Sequence, residues 1–227
     1  MNRSIYMLWL GDEPMNAERQ QAFARLPGAT LITKHNIHDF ILHDHPLHPA
    51  YPYLSTVHKS DYLRCYLMHH YGGGYSDVKH RPIHWPAAFD AMATHGDIMM
   101  MGLATSRGNT ISGTEEWSAE MQDAIIKCIP RLFCMGWFIC RPYSPITTEW
   151  YEEINKRLDK FLPELIKCPA THTREAFHKN EGCALEKPIW EGRTAFRSMY
   201  PISWNILLAQ ILYPLQLKYL TAIKNTL

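Results

Sequence analysis

The chain has 227 residues, of which 46% are hydrophobic and 20% charged, the composition of a folded protein and not of a disordered segment. Lys plus Arg is 23 and Asp plus Glu is 22, a formal net charge of +1 with both signs scattered along the chain. A general polyanion binder needs a basic footprint, so nucleic acid is excluded from the expected partners.

Ser4 to Leu10 is a short apolar run ending at Gly11, as a buried strand emerging into a loop would read. It is too short for a signal-peptide core and lacks a small-residue cleavage site. The six cysteines contain no C-x-x-C pair and read as reduced thiols, so a cytoplasmic location is expected. Pro14 opens a helical stretch through Leu26, stopped by Pro27 and Gly28, and Ala29 to Thr33 reads as a second strand. Strand, helix, strand is the opening of an α/β fold with a crossover connection. The His- and Pro-rich segment from His35 to Tyr53 reads as loop. His43, His45 and His48 beside Asp44 invite a zinc reading, but no H-E-x-x-H or paired C-x-x-C accompanies them, and a solvated or supporting role is expected.

Ser55 places a capping hydroxyl before the clearest helix, with Val57, Tyr62, Leu63, Tyr66, Leu67 and His70 at spacings of three and four. His69 and His70 fill its last turn, where a cation suits the helix dipole, and Gly72, Gly73 and Gly74 stop it. Tyr75 to Val78 reads as a very short strand closed by Arg81-Pro82, and Asp97 to Leu103 as a buried one. After the Gly-, Ser- and Thr-rich stretch Thr105 to Thr114 come a helix from Glu115 to Ile129, a strand from Phe133 to Cys140 and a helix from Pro145 to Phe161. Ile206 to Ile223 reads as one helix, or two broken at Pro214. The apolar segment Ile202 to Leu220 is interrupted by Asn205, Gln210, Pro214, Gln216 and Lys218, which argues against a spanning helix and leaves open a peripheral membrane contact. Without internal repeats or low-complexity linkers, residues 1–227 read as a single domain.

The residues that point to chemistry lie around the glycine run. Asp61 and Arg64, at i and i+3, project from one helix face about a turn apart. Asp77 follows at the end of a short strand, so two carboxylates and a guanidinium would meet at the carboxyl edge of a sheet, where open α/β folds bind ligands. Carboxylates accept from sugar hydroxyls and Arg neutralises phosphate, a chemistry suited to a polyhydroxylated anion. Spacing alone leaves two plainer readings open: a solvated surface pair and a simple helix stop.

The run His58-Lys59-Ser60-Asp61-Tyr62-Leu63-Arg64, followed by Tyr71-Gly72-Gly73-Gly74-Tyr75-Ser76-Asp77-Val78-Lys79, resembles the DXD-containing sugar-binding region of glycosyltransferase family 32 and the related capsular polysaccharide synthesis proteins. Ile5-Tyr6-Met7-Leu8-Trp9-Leu10-Gly11 is similar to the opening strand of the same group, and Met135-Gly136-Trp137-Phe138-Ile139, followed by a helix with Trp150, matches more loosely. The resemblance implies a GT-A-like nucleotide-sugar-binding fold, a mainly parallel mixed sheet flanked by helices. It implies transfer of a hexose from a nucleotide-diphosphate sugar to a hydroxyl of a cell-surface glycan of capsule or lipopolysaccharide type, or of a lipid-linked glycan; peripheral contact with the inner face of a membrane stays open.

 The configuration implied for that transfer is retention. Carried over by residue, Trp9 would lie near the nucleobase, Asp61 and Arg64 would hold the donor sugar, Gly73, Gly74 and Tyr75 would line its approach, and Asp77 would take the first acidic position of the DXD, with Mn2+ or Mg2+ as the implied cofactor. Ser203 and Trp204, in Tyr200-Pro201-Ile202-Ser203-Trp204, stand where some related transferases contact the metal and diphosphate.

The chain departs from the family at the second acid of the DXD, which here is Lys79, followed by His80 and Arg81. An ammonium cannot bind a metal, but it can neutralise a departing diphosphate. The expectation is catalysis by Asp77 and Lys79 with weak or no metal dependence, Asp77 being the metal ligand if a divalent ion is used. No carboxylate nucleophile stands out, so a front-face departure is expected, and Glu115 and Glu116 are candidates for acceptor contacts. The alternative is a non-catalytic nucleotide-sugar or glycan-binding relative that has lost the metal site.

Overall fold

Ile5–Trp9 forms β1: its first four side chains are buried, and a run of that kind can be covered on both faces only inside a sheet. The computed structural model describes residues 1–105, 117–178, 183–184 and 199–225. After β1, α1 spans Ala17–Ala24, starting later than Pro14 because Asn16 is the N-cap and its side chain accepts the Arg19 N–H. β2, Ala29–Thr33, returns parallel to β1 with Ile5 opposite Ala29. α2 runs Thr56–His70, and Gly72 and Gly73, at φ 60° and 88°, turn the chain into β3, Gly73–Ser76, on the other side of β1.

β4, Met100–Ala104, and β5, Phe133–Cys140, complete the centre of the sheet, and β8, Ile223–Lys224, closes it in the order β2-β1-β3-β5-β4-β8. β1 to β3, β4 and β8 run one way and β5 runs the other, so the fold is α/β with a mixed, mostly parallel sheet. A short hairpin pairs β6, Phe177–His178, with β7, Cys183–Ala184.

Alternate strand residues serve opposite faces, as a pleated sheet requires. Tyr6, Leu8, Met100, Phe138 and Cys140 join the larger core with α2, α4 (Ala119–Cys128), α5 (Pro145–Lys167) and α6 (Ala209–Lys218). Ile5, Met101, Trp137 and Ile139 face the smaller one with α3, Trp85–Thr94.

Several boundaries differ from those the sequence suggests. No element is expected over 83–96, where α3 lies; Pro86 in its first turn is a helix-start signal. α4 begins at Ala119, capped by Ser118, and not at Glu115. α5 continues past Phe161 through Pro163, and α6 runs through Pro214 without dividing, because buried residues on both sides of each proline hold the helix although one backbone bond is lost. Ile223 belongs to β8 and not to a long terminal helix. Among the described residues no helix is long and apolar enough to cross a membrane, and Cys65, Cys128, Cys134, Cys140 and Cys168 are free thiols.

Candidate functional site

α2 is not a surface helix: every residue from Asp61 to His70 is buried. The Asp61 and Arg64 side chains are only 6% and 9% exposed, which overturns the solvated-pair reading. Arg64 Nη2 lies 3.6 Å from Asp61 Oδ1 and 3.6 Å from Asp77 Oδ1, so one guanidinium bridges the two carboxylates. Its Nη1 donates to the Met135 carbonyl at 3.0 Å, and its plane rests over the Tyr75 ring at 4.3 Å. Tyr75 donates its hydroxyl to Asp77 Oδ1 at 3.1 Å. Arg64 Nε is buried without a partner among the described residues.

Asp77 is placed by backbone pairing. Its N–H donates to the Gly136 carbonyl at 2.7 Å, extending the β3–β5 ladder one step past Ser76 and Trp137. A Cβ at Gly136 would lie 3.1 Å from Asp77 Oδ2, so this glycine leaves the carboxylate its room. Lys79 Nζ stands 3.4 Å from the same Oδ2, and the Arg81 guanidinium lies over the Trp137 ring at 4.7 Å. Asp77 and Lys79, with side chains 25% and 48% exposed, form the open rim, and Asp61, Arg64 and Tyr75 lie behind them. Two carboxylates face two cations, so the group is close to neutral.

Burial pushes the Asp61 carboxyl up to about 7, with Arg64 opposing the rise and Asp77 adding to it. Burial works against the Arg64 charge, but Tyr75, Asp77 and Asp61 outweigh it and hold the guanidinium protonated. Burial also raises the Tyr75 phenol well above its ordinary value, so it remains a hydrogen-bond donor.

The other expected residues are more dispersed. Trp9 ends β1 at the same sheet edge, half-buried, with Nε1 donating to the Glu13 carbonyl at 2.8 Å. Gly73 and Gly74 lie at the far end of β3, where a Cβ would meet the Ser4 carbonyl at 2.6 Å and the Trp85 ring at 3.0 Å; their smallness serves the sheet and α3. Ser203 and Trp204 are half-buried against α2 near His58, one turn before Asp61, and Trp204 lies under the Arg174 guanidinium at 5.5 Å. Glu115 and Glu116 lie outside the described residues.

The histidines divide. His43 is exposed beside Asp44, and His48 is buried with Nε2 3.0 Å from Asp159. Burial lowers His69 and His70 to about 4, so they are neutral near pH 7 and lend the helix end no cation, contrary to the dipole reading. Ser55 is the N-cap of α2, but its hydroxyl meets His58 Nδ1 at 2.9 Å and makes no capping bond. Among the described residues no group of three His, Cys, Asp or Glu converges as metal ligands. Gly136 and the Met135 carbonyl, which position Asp77 and Arg64, are visible in sequence only through the Met135-Gly136-Trp137 run.

Comparison with family models, curated proteins and solved structures gives no match for this chain. The functional reading therefore rests on these residues and their geometry.

Proposed function

We propose that this chain is a glycosyltransferase of GT-A-like fold that moves a hexose from a nucleotide-diphosphate sugar to a hydroxyl of a cell-surface glycan. The observation that carries the reading is the convergence of Asp61, Arg64, Asp77 and Lys79 at the carboxyl end of β3. Asp77 accepts from donor-sugar hydroxyls at the open rim, held in place by Arg64 and Tyr75. Lys79, and Arg81 when it leaves the Trp137 face, supply positive charge for the diphosphate. Trp9 at the same edge offers an indole face for a base.

The residues do not fit a divalent metal. Asp77 Oδ1 accepts from Tyr75 and faces Arg64, its Oδ2 faces Lys79, and the position of the second acid is that lysine. The positive charge opposite the diphosphate comes instead from Lys79 and Arg81. In the proposed reaction the bond from C1 of the hexose to the diphosphate oxygen breaks, and the bond from C1 to the acceptor oxygen forms on the same face. The acceptor proton passes to the leaving phosphate oxygen, while Lys79 offsets the charge that develops there.

A panel of nucleotide sugars tested for thermal stabilisation checks the reading by linkage. At least one donor is expected to raise the melting temperature of the wild type and to leave Asp77→Ala unshifted. No shift with any donor would overturn the proposal. A shift accompanied by neither sugar transfer nor donor hydrolysis would favour the non-catalytic binder.

A further inference from the structure

A cavity of about 630 Å³ opens between α4, α5 and α6, apart from the Asp61–Arg64–Asp77 group and within the ~300 to 1,000 Å³ common for small-molecule sites. We propose that this cavity binds a neutral oligosaccharide, with Trp117 as its platform and Glu152 as a hydrogen-bonding group. That the oligosaccharide is the transferase acceptor rests on the function proposed above; that the cavity takes a sugar chain does not.

Trp117 is half-buried, and its Nε1 donates to the Gln210 carbonyl at 3.4 Å while Tyr213 meets it edge-on at 6.4 Å between centroids. The polar edge of the indole is thus committed to α6, and what it offers the cavity is an apolar surface, which suits the C–H face of a pyranose. Around it stand groups that bind hydroxyls. Glu149 accepts from Lys218 at 2.7 Å and from Tyr219, and Glu153 accepts from Arg157 at 2.8 Å. These carboxylates are already charge-compensated and keep lone pairs for sugar hydroxyls. Glu152 is exposed on the same helix and has no ion pair among the described residues.

The charge balance favours a neutral ligand. The lining carries Glu149, Glu152 and Glu153 against Lys156 and Arg157, and Lys218 compensates Glu149 from outside it. A phosphate would face more acids than bases, and a polycation would meet one uncommitted carboxylate.

The cavity is also linked to the sheet edge. Tyr213, which meets Trp117 edge-on, is within electrostatic reach of the Cys134 thiol, and that thiol is within electrostatic reach of Asp77, Arg64 and Lys79. Arg157 Nη1 donates to the Ile206 carbonyl at 2.7 Å, tying α5 to the segment that follows Ser203 and Trp204.

The test is calorimetric titration of the full chain with maltotriose, triacetylchitotriose and mannotriose, and with hexalysine as a cationic control. One trisaccharide is expected to saturate the wild type and to bind at least tenfold more weakly to Glu152→Ala and Trp117→Ala, while Asp77→Asn binds it unchanged. Glu152 is exposed, so its variant is informative even if Trp117→Ala fails to fold. Absence of saturation by all three sugars, undiminished binding by Glu152→Ala, or binding of hexalysine alone would overturn the proposal. Sugar binding with no response to any nucleotide sugar would remove the acceptor role and the transferase reading together, and leave the oligosaccharide site standing.

Discussion

Asp61 permits a prediction whose sign and size both follow from the structure. Its carboxyl is buried and raised from 3.8 to about 7, so the folded state holds a proton that the unfolded state releases across the intervening range. Below pH 3.8 both states are protonated and the stabilising contribution is complete; it is lost as pH rises through 7. Integrating that linkage, this one group should cost wild-type protein about 3 kcal/mol of stability between pH 5 and pH 8. Asp61→Asn removes the titration and leaves every other ionisable group in place. Urea unfolding of both proteins at pH 5, 6, 7 and 8 gives the difference in stability at each pH. Relative to the variant, the wild type is expected to weaken steadily over the series. A difference constant to within about 0.5 kcal/mol would refute the reasoning, since it would mean that Arg64 fully offsets burial and the carboxyl titrates as in water.

Lys79→Ala should leave urea stability within about 0.5 kcal/mol, because the side chain is 48% exposed, while kcat/KM for the donor falls on the order of 100-fold. Equal activity of variant and wild type would remove Lys79 from the reaction. Gln216, fully buried on α6, accepts from the Phe133 N–H at 2.9 Å and donates to the Phe133 carbonyl at 3.2 Å. Gln216→Leu would strand both groups and should cost about 2 to 5 kcal/mol in urea unfolding; a cost under 1 kcal/mol would contradict that pairing. A Cβ at Gly102 would lie 2.4 Å from the Phe133 ring, so Gly102→Ala should destabilise by about 1 to 3 kcal/mol, read as a fall of several degrees in melting temperature.

Elements with a single strong pattern are legible in the sequence. β5 spans Phe133–Cys140 as its apolar run suggests, and the glycine stop after α2 falls where Gly72 and Gly73 take positive φ. α3 is less legible, because Trp85-Pro86-Ala87-Ala88 comes straight after the Arg81-Pro82 break, and its start is set by His84 accepting from Ala87. At the site, the meeting of Asp61 with Arg64 follows from helix geometry, and their distance from Asp77 from the strand that follows. Burial is what spacing leaves undetermined. An i, i+3 pair reads the same on a wet face or inside, and only the sheet and α5 on either side of α2 decide it. Gly136 is hidden for a similar reason: its need for a bare Cα depends on a carboxylate fifty-nine positions earlier, brought opposite by antiparallel pairing.

Release of nucleoside diphosphate from a panel of nucleotide sugars, followed in EDTA with wild type, Asp77→Asn and Lys79→Ala, bears most directly on the proposed chemistry. The account predicts that wild type consumes at least one donor without added metal and that both variants lose most of that turnover. Turnover that vanishes in EDTA and returns with Mn2+, or that survives in both variants, would contradict it.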